Sequence, residues 1–425
     1  MRLFVITLFF SVYLMSNAQN TYLHCGKLVD VEQKKILNEM TVVIRDNQII
    51  SVTKGFQNPS SANDQIIDLK DKTVLPGLID MHVHLESEQS ASTYLDRFTM
   101  NEADVAFETA KNAMTTLMAG FTTVRDLGGS GVNTALRNAI DKGVAEGPRI
   151  YSCGKAIGTT GGHADPSNGM KKNLAGDPGP SQGVINGPDE GRAAVRQQYK
   201  NGANVIKITA TGGVLSVAKN GQNPQFTIEE IKAICETAKD YDMHVAAHAH
   251  GDEGMQRAIL GGVKTIEHGT LMSEKTMELM KENDVYYVPT ITAGKEVSDK
   301  AKIKGFYPEM IATKAAEIGP QIQGTFQTAF KKGVKIAFGT DAGVFPHGLN
   351  GKEFAYMTEV GMTPMETLIS ATLTNANVLK NDQIGIIKAG KYADIVAVKE
   401  DPTKNIKTME NVVFVMKDGK VYKNE

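Results

Sequence analysis

Between residues 75 and 384 the chain repeats one unit, a short apolar run of strand length followed by a stretch with helical spacing. The runs are Leu78 to His84, Thr122 to Asp126, Arg149 to Gly154, Val205 to Ala210, His244 to His250, Thr265 to His268, Tyr286 to Thr290 and Lys335 to Asp341. Strands buried on both faces read as continuous apolar runs, and parallel neighbours need a crossover, usually a helix. The intervening stretches have that character. Thr227 and Glu230 form a capping box, and Ile228, Ile231, Ile234, Cys235 and Ala238 fall along one helical face. Eight such units predict an α/β fold, a (β/α)8 TIM barrel spanning 75–384. An open, doubly wound sheet is the competing arrangement until the site residues are weighed.

The ends differ in texture. Leu28 to Asp30, Met40 to Arg45 and Ile49 to Val52 read as strands, with a hairpin turn at Asp46-Asn47. Asp394 to Val398, Val412 to Met416 and Lys420 to Tyr422 repeat the pattern, with Asp418-Gly419 as the turn. Residues 19–74 and 385–425 are therefore expected to build one small β-sandwich domain from both termini. Before them, Met1-Arg2, the apolar run Leu3 to Leu14 and Ser16-Asn17-Ala18 read as a signal peptide, residues 1–18, cleaved after Ala18. That predicts a periplasmic or secreted protein, with no stable membrane span once the segment is removed.

Composition narrows the partners. The formal charge of −2 gives no electrostatic reason to bind nucleic acid, and a small-molecule substrate is the expected partner. A homo-oligomer is also expected. The three cysteines, Cys25, Cys153 and Cys235, have no paired or C-x-x-C spacing, which excludes a disulfide framework and a thiolate metal site. Residues 158–188 are rich in Gly, Pro, Asn and Asp without periodicity, and a loop of that length in a compact domain usually carries function.

The chemistry lies at the strand ends. His82 and His84 stand two apart on the first barrel strand and so share a face. His248 falls near the end of the fifth strand, His268 ends the sixth and Asp341 ends the eighth. In a barrel these C-terminal ends open on one mouth, where activity resides. One buried histidine is ordinarily a hydrogen-bonded core residue; four imidazoles and a carboxylate on four strands are a ligand set for zinc or a similar divalent ion. Lys207 sits inside the apolar fourth strand, where an unpaired ammonium is costly. Either a carboxylate pairs with it, or burial keeps it neutral. A neutral amine can add carbon dioxide, giving a carbamate able to bridge two metals.

The stretches Leu75 to His84, Thr122 to Asp126, Thr160 to His163, Ile206-Lys207, His248 to Gly251, Ile266 to Gly269, Gly339 to Asp341 and Gly390 to Val396 resemble the amidohydrolase superfamily. The likeness is to its imidazolonepropionase-like and Xaa-Pro dipeptidase (prolidase-like) members, and it spans nearly the whole mature chain. The resemblance implies two divalent metal ions, with zinc expected, and N6-carboxylysine at Lys207. His82, His84, Lys207 and Asp341 would hold one ion, and Lys207, His248 and His268 the other. It implies further that a metal-bridging hydroxide adds to the scissile carbonyl carbon so that the C–N bond breaks, with Asp341 carrying the proton to the leaving amine. His163 would stabilise the oxyanion as a catalytic and substrate-binding residue. His250, where some relatives carry tyrosine, and His347, on the loop after the eighth strand, complete the expected substrate contacts.

The substrates implied are dipeptides of Xaa-Pro type or N-acyl amino acids. A hydrolase of cyclic amides or lactones, similar to imidazolonepropionase, is the first alternative, and a non-catalytic periplasmic binding protein the second. A deaminase fits less well, because those relatives usually lack the metal-bridging lysine. Arg125, deep in the second strand, is read as a structural ion-pair residue, and His24 and His244 as structural.

Overall fold

The computed structural model describes residues 19–217 and 221–425. The expected signal peptide lies outside them. Four strands from the N-terminal part, β1 Asn20–Asp30, β2 Lys35–Arg45, β3 Gln48–Lys54 and β4 Gln65–Pro76, precede the repeating units. The strands of those units are β5 Leu78–Val83, β6 Phe121–Asp126 and β7 Arg149–Ser152, then β8 Gly158–Thr159 and β9 Val184–Ile185 in the long loop. They continue with β10 Ile206–Thr209, β11 Val245–Ala249, β12 Thr265–His268 and β13 Tyr286–Val288. Three C-terminal strands follow: β14 Ile395–Val398, β15 Val412–Lys417 and β16 Lys420–Asn424.

The repeating part is a TIM-barrel-like α/β fold. β5, β6 and β7 form one parallel sheet and β10 to β13 another. Backbone bonds link the two on both sides. Ile157 N–H donates to Lys207 O at 2.8 Å, and Thr209 N–H returns to Ile157 O at 3.0 Å. Opposite them, residues 335–342 run between β13 and β5: Ala337 N–H donates to Tyr287 O at 2.9 Å and Asp341 N–H to His82 O at 2.7 Å. The eighth segment lies where the sequence places it, but it makes isolated bridges rather than a continuous ladder. Its end bends away from strand geometry, since Asp341 has φ 63°.

The helix Ile228–Lys239 illustrates how a local signal sets an element. The Glu230 N–H donates to Thr227 Oγ1 at 3.3 Å and the Thr227 N–H to Glu230 Oε2 at 2.8 Å, closing the capping box. Ile231, Ile234 and Ala238 are buried on the face turned to the strands.

The terminal strands differ from the expected sandwich. They form one continuous seven-stranded sheet in the order β16-β15-β14-β4-β1-β2-β3. The sheet rolls back on itself, so that Ile49 N–H at the β3 edge donates to Lys391 O at 2.9 Å and Ala393 N–H to Asn47 O at 2.9 Å. Leu23, Val42, Ile44, Leu69, Ile395 and Phe414 fill the roll. The seam is β4, parallel to β1 and antiparallel to β14. It continues through Gly77, whose N–H donates to Asp394 O, directly into β5. Among the described residues no helix is long and apolar enough to cross a membrane.

Candidate metal centre and active site

The C-terminal strand ends converge on a cavity of about 770 Å³ whose wall includes His82, His84, His163, Lys207, His248, His250, His268 and Asp341. Ring centroids of His82 and His268 are 4.9 Å apart, those of His248 and His268 4.7 Å, and those of His163 and His248 4.4 Å. His82, His268 and Asp341 each offer a ligand atom within 4.8 Å of the others. Consecutive strand residues point to opposite faces. His268, which follows the inward-facing Glu267, nevertheless reaches the site because its backbone is left-handed at φ 69°. Such angles in non-glycine residues cost energy and collect at functional sites.

Each of the four imidazoles has a hydrogen-bond partner at one nitrogen. His84 Nδ1 donates to Gly128 O at 3.1 Å and His248 Nε2 to Gly212 O at 3.1 Å. A carbonyl can only accept, so these nitrogens carry the hydrogens. His82 Nδ1 lies 2.9 Å from Glu267 Oε2, and His268 Nδ1 lies 2.8 Å from Thr290 Oγ1. The opposite nitrogens of His82 and His84 then turn lone pairs toward Asp341 Oδ1, at 3.5 and 3.3 Å. That oxygen is buried with no hydrogen-bond partner. Acceptors facing acceptors at this range require a proton or a cation between them. The donor set, imidazole nitrogens with a carboxylate and each ring fixed by an outer partner, is the kind that zinc and similar ions take.

The electrostatics run the same way. Burial pushes the imidazoles of His82, His248 and His268 well below their ordinary range, keeping them neutral as ligands must be. His84 is the exception: burial opposes its charge, but the adjoining Asp341 carboxylate outweighs that and raises it. Burial likewise opposes the Asp341 carboxylate, and His82, His84 and Lys207 together hold it below its usual range. Burial lowers the Lys207 amine against the pull of Glu267 and Asp341. Among the described residues no carboxylate lies within 4.0 Å of Lys207 Nζ, which meets His82 Nε2 at 3.4 Å. The ion-pair reading of this lysine thus finds no partner.

The remaining predicted residues separate. His163 lies on the cavity wall, its ring against Gly213 and its Nδ1 buried without a partner; burial pushes it down to about 3. Its backbone N–H is held by Gln225 Oε1 at 2.8 Å. His250 also faces the cavity, with Nδ1 on Thr270 Oγ1 at 2.9 Å. His347 is not brought to this group. Its Nδ1 contacts Thr116 Oγ1 at 3.2 Å and its Nε2 contacts Ser87 O at 3.2 Å, so both nitrogens are used in holding the loop that carries it. The substrate contact expected of it has no geometric support. The long loop folds around β8 and β9 and contributes His163, Asp165, Asn168 and Met170 to the wall.

Sequence reasoning missed Glu267. It is fully buried, accepts Arg125 Nη2 at 2.8 Å on Oε1, and meets His82 with Oε2. The available signal was a carboxylate inside an apolar strand next to a ligand histidine. Arg125 is the structural ion-pair residue expected, also donating to Met81 O at 2.7 Å and meeting His244 at 3.0 Å.

This fold and this site define a class. The amidohydrolase family model matches residues 73–422, and the chain belongs to that family. Among solved structures it is similar to a Xaa-Pro dipeptidase with methionine bound in the active site, at 52% identity and a TM-score of 0.92, covering 96% of this chain and 100% of that one. A prolidase complexed with N-methylphosphonate-L-proline is 31% identical with a TM-score of 0.86, again over 96% and 100%. The ochratoxinase of Aspergillus niger is 34% identical over 96% of this chain and 87% of its own length. The family supports a hydrolase of C–N bonds acting on small molecules.

Proposed function

We propose that the protein is a binuclear metal-dependent amidohydrolase that cleaves the C–N bond of Xaa-Pro-like dipeptides or N-acyl amino acids. The observation that carries this is the set of four hydrogen-bonded imidazoles gathered with Lys207 and Asp341 on one cavity. His82, His84, Lys207 and Asp341 would hold one divalent ion, and Lys207, His248 and His268 the other, with zinc the expected metal. Lys207 acts as its carbamate, which the missing carboxylate partner supports. Bound there, the ions supply Lewis acidity that activates water near neutral pH and polarises a carbonyl.

The chain's own residues do the rest. Asp341 takes the proton from the attacking water and hands it to the leaving amine. His163, neutral and beside His248 on the cavity wall, donates to the oxygen that gains charge, and His250 contacts the substrate. The Xaa-Pro dipeptidase and prolidase likenesses support acyclic amides ending in an amino acid over cyclic ones.

We read the parallel strands as one closed (β/α)8 barrel over 75–384, and 19–74 with 385–425 as a composite domain beside it. Export by a signal peptide over 1–18 completes the reading. A homo-oligomer is consistent with the exposed Phe98 and Phe107. The test is turnover of a panel of dipeptides and N-acyl amino acids by protein loaded with zinc and bicarbonate, with metal counted by elemental analysis. Stoichiometric metal with turnover of at least one such amide is expected; neither metal nor turnover refutes the proposal.

A further inference from the structure

The four anchored imidazoles are not anchored alike. His84 and His248 donate to backbone carbonyls, and His268 meets a hydroxyl. His82 alone among them has a carboxylate behind it, Glu267, at 2.9 Å. The two carboxylate oxygens are divided between partners. Oε1 takes the Arg125 guanidinium and the Thr265 hydroxyl, and Oε2 is left to His82. Glu267, Arg125 and Thr265 are fully buried, and Arg125 is fixed further by Met81 O. The carboxylate therefore cannot turn away, and it enforces the His82 tautomer with its hydrogen on Nδ1. Nε2 faces Lys207 and Asp341.

An anionic acceptor behind a ligand imidazole orients the ring and enriches the opposite nitrogen in electron density. Losing such an outer partner typically weakens metal affinity by about 10–100-fold. A neutral carbonyl or hydroxyl does the same to a smaller degree. Resting on the binuclear reading above, we infer that the two metal positions are unequal: the one built on His82 and His84 holds its ion about 10–100-fold more tightly than the one built on His248 and His268. Glu267 is the positioning residue responsible. The protein retains one ion under conditions that strip the other, and its activity depends on available metal through the weaker position.

The test is metal retention of the full chain loaded with zinc and equilibrated against a graded series of chelator concentrations, with metal per chain counted at each step. Wild type should lose metal in two steps, with a plateau near half occupancy. His248→Ala should keep the ion of the plateau, and His82→Ala should lose it. Glu267→Gln offers His82 Nδ1 an amide in place of a carboxylate. It should move the tight step toward the weak one by about 10–100-fold. A Glu267 that serves only the fold would lower the unfolding temperature of the metal-free protein and leave the tight step in place. That result overturns the inference, as does a single step in wild type or a plateau kept by His82→Ala and lost by His248→Ala. The wild-type and histidine arms stand even if Glu267→Gln does not fold. Wild type that binds no metal at all overturns the binuclear reading itself.

Discussion

Gly213 offers a way to remove His163 from the reaction without touching it. A Cβ built on Gly213 would fall against the face of the His163 ring, far inside van der Waals contact with Cε1, Nε2 and Nδ1. The backbone angle at 213 is not in the glycine-only region, so alanine meets no conformational barrier of its own. The loop cannot retreat to relieve the overlap. Gly212 O is bonded by His248 Nε2 at 3.1 Å and Gly213 O by Lys314 Nζ at 2.8 Å. The ring must move instead, and it is the looser partner, since His163 Nδ1 has no hydrogen bond to lose. Removing one donor to a developing oxyanion costs about 10²–10³ in kcat, or about 2.7–4 kcal/mol. Gly213→Ala should therefore lose about that factor in kcat with its metal content unchanged. The assay is steady-state turnover of the best amide substrate beside elemental analysis, for Gly213→Ala, His163→Asn and the double variant. Because both changes remove one interaction, the double variant should be no slower than the worse single one. Full kcat in Gly213→Ala, or losses that multiply in the double variant, would refute the reasoning.

Other outcomes follow from the same site and scaffold. Lys207→Ala should lose most bound metal and nearly all turnover while remaining folded, read by elemental analysis and circular dichroism. Asp341→Asn should fold with an unchanged unfolding temperature within a few degrees and lose turnover; an active variant contradicts the proton transfer assigned to it. At the strand starts, Asp284 receives Lys264 at 2.6 Å and also pairs with Lys335, and these hydrogen bonds hold its carboxyl below the usual range. A lowered carboxylate contributes stability above its unfolded pKa and loses it as pH falls through the folded one. The pair is half exposed, so the contribution is under about 1 kcal/mol. Asp284→Asn should lower the unfolding temperature slightly at pH 7 and not at strongly acidic pH; an equal shift at both would disprove the linkage.

Much of the fold was legible because its signals are local. Burial on both faces makes barrel strands continuous apolar runs, and caps such as Thr227 with Glu230 mark helix starts wherever the chain goes. β4 was not legible. Its sequence, Gln65 to Pro76, alternates apolar residues with Asp and Lys because one face is exposed over its first half, and nothing local reveals that it joins the two chain ends. The sheet's closure on itself rests on bonds between Asn47 or Ile49 and residues near 391, over 340 positions away.

The sequence by itself singled out His82, His84, His248, His268 and Asp341 as candidate ligands, since they sit at or near strand ends, and strand ends meet in this architecture. Only the tertiary structure decided which nitrogen of His82, His84 and His248 faces the cavity, because the choice is made by Glu267, Gly128 and Gly212. It also decided that His347 belongs to the scaffold, through Thr116 and Ser87. Periodicity tells which side of an element a residue occupies; a hydrogen-bond partner brought from a distant part of the chain is a fact of packing alone.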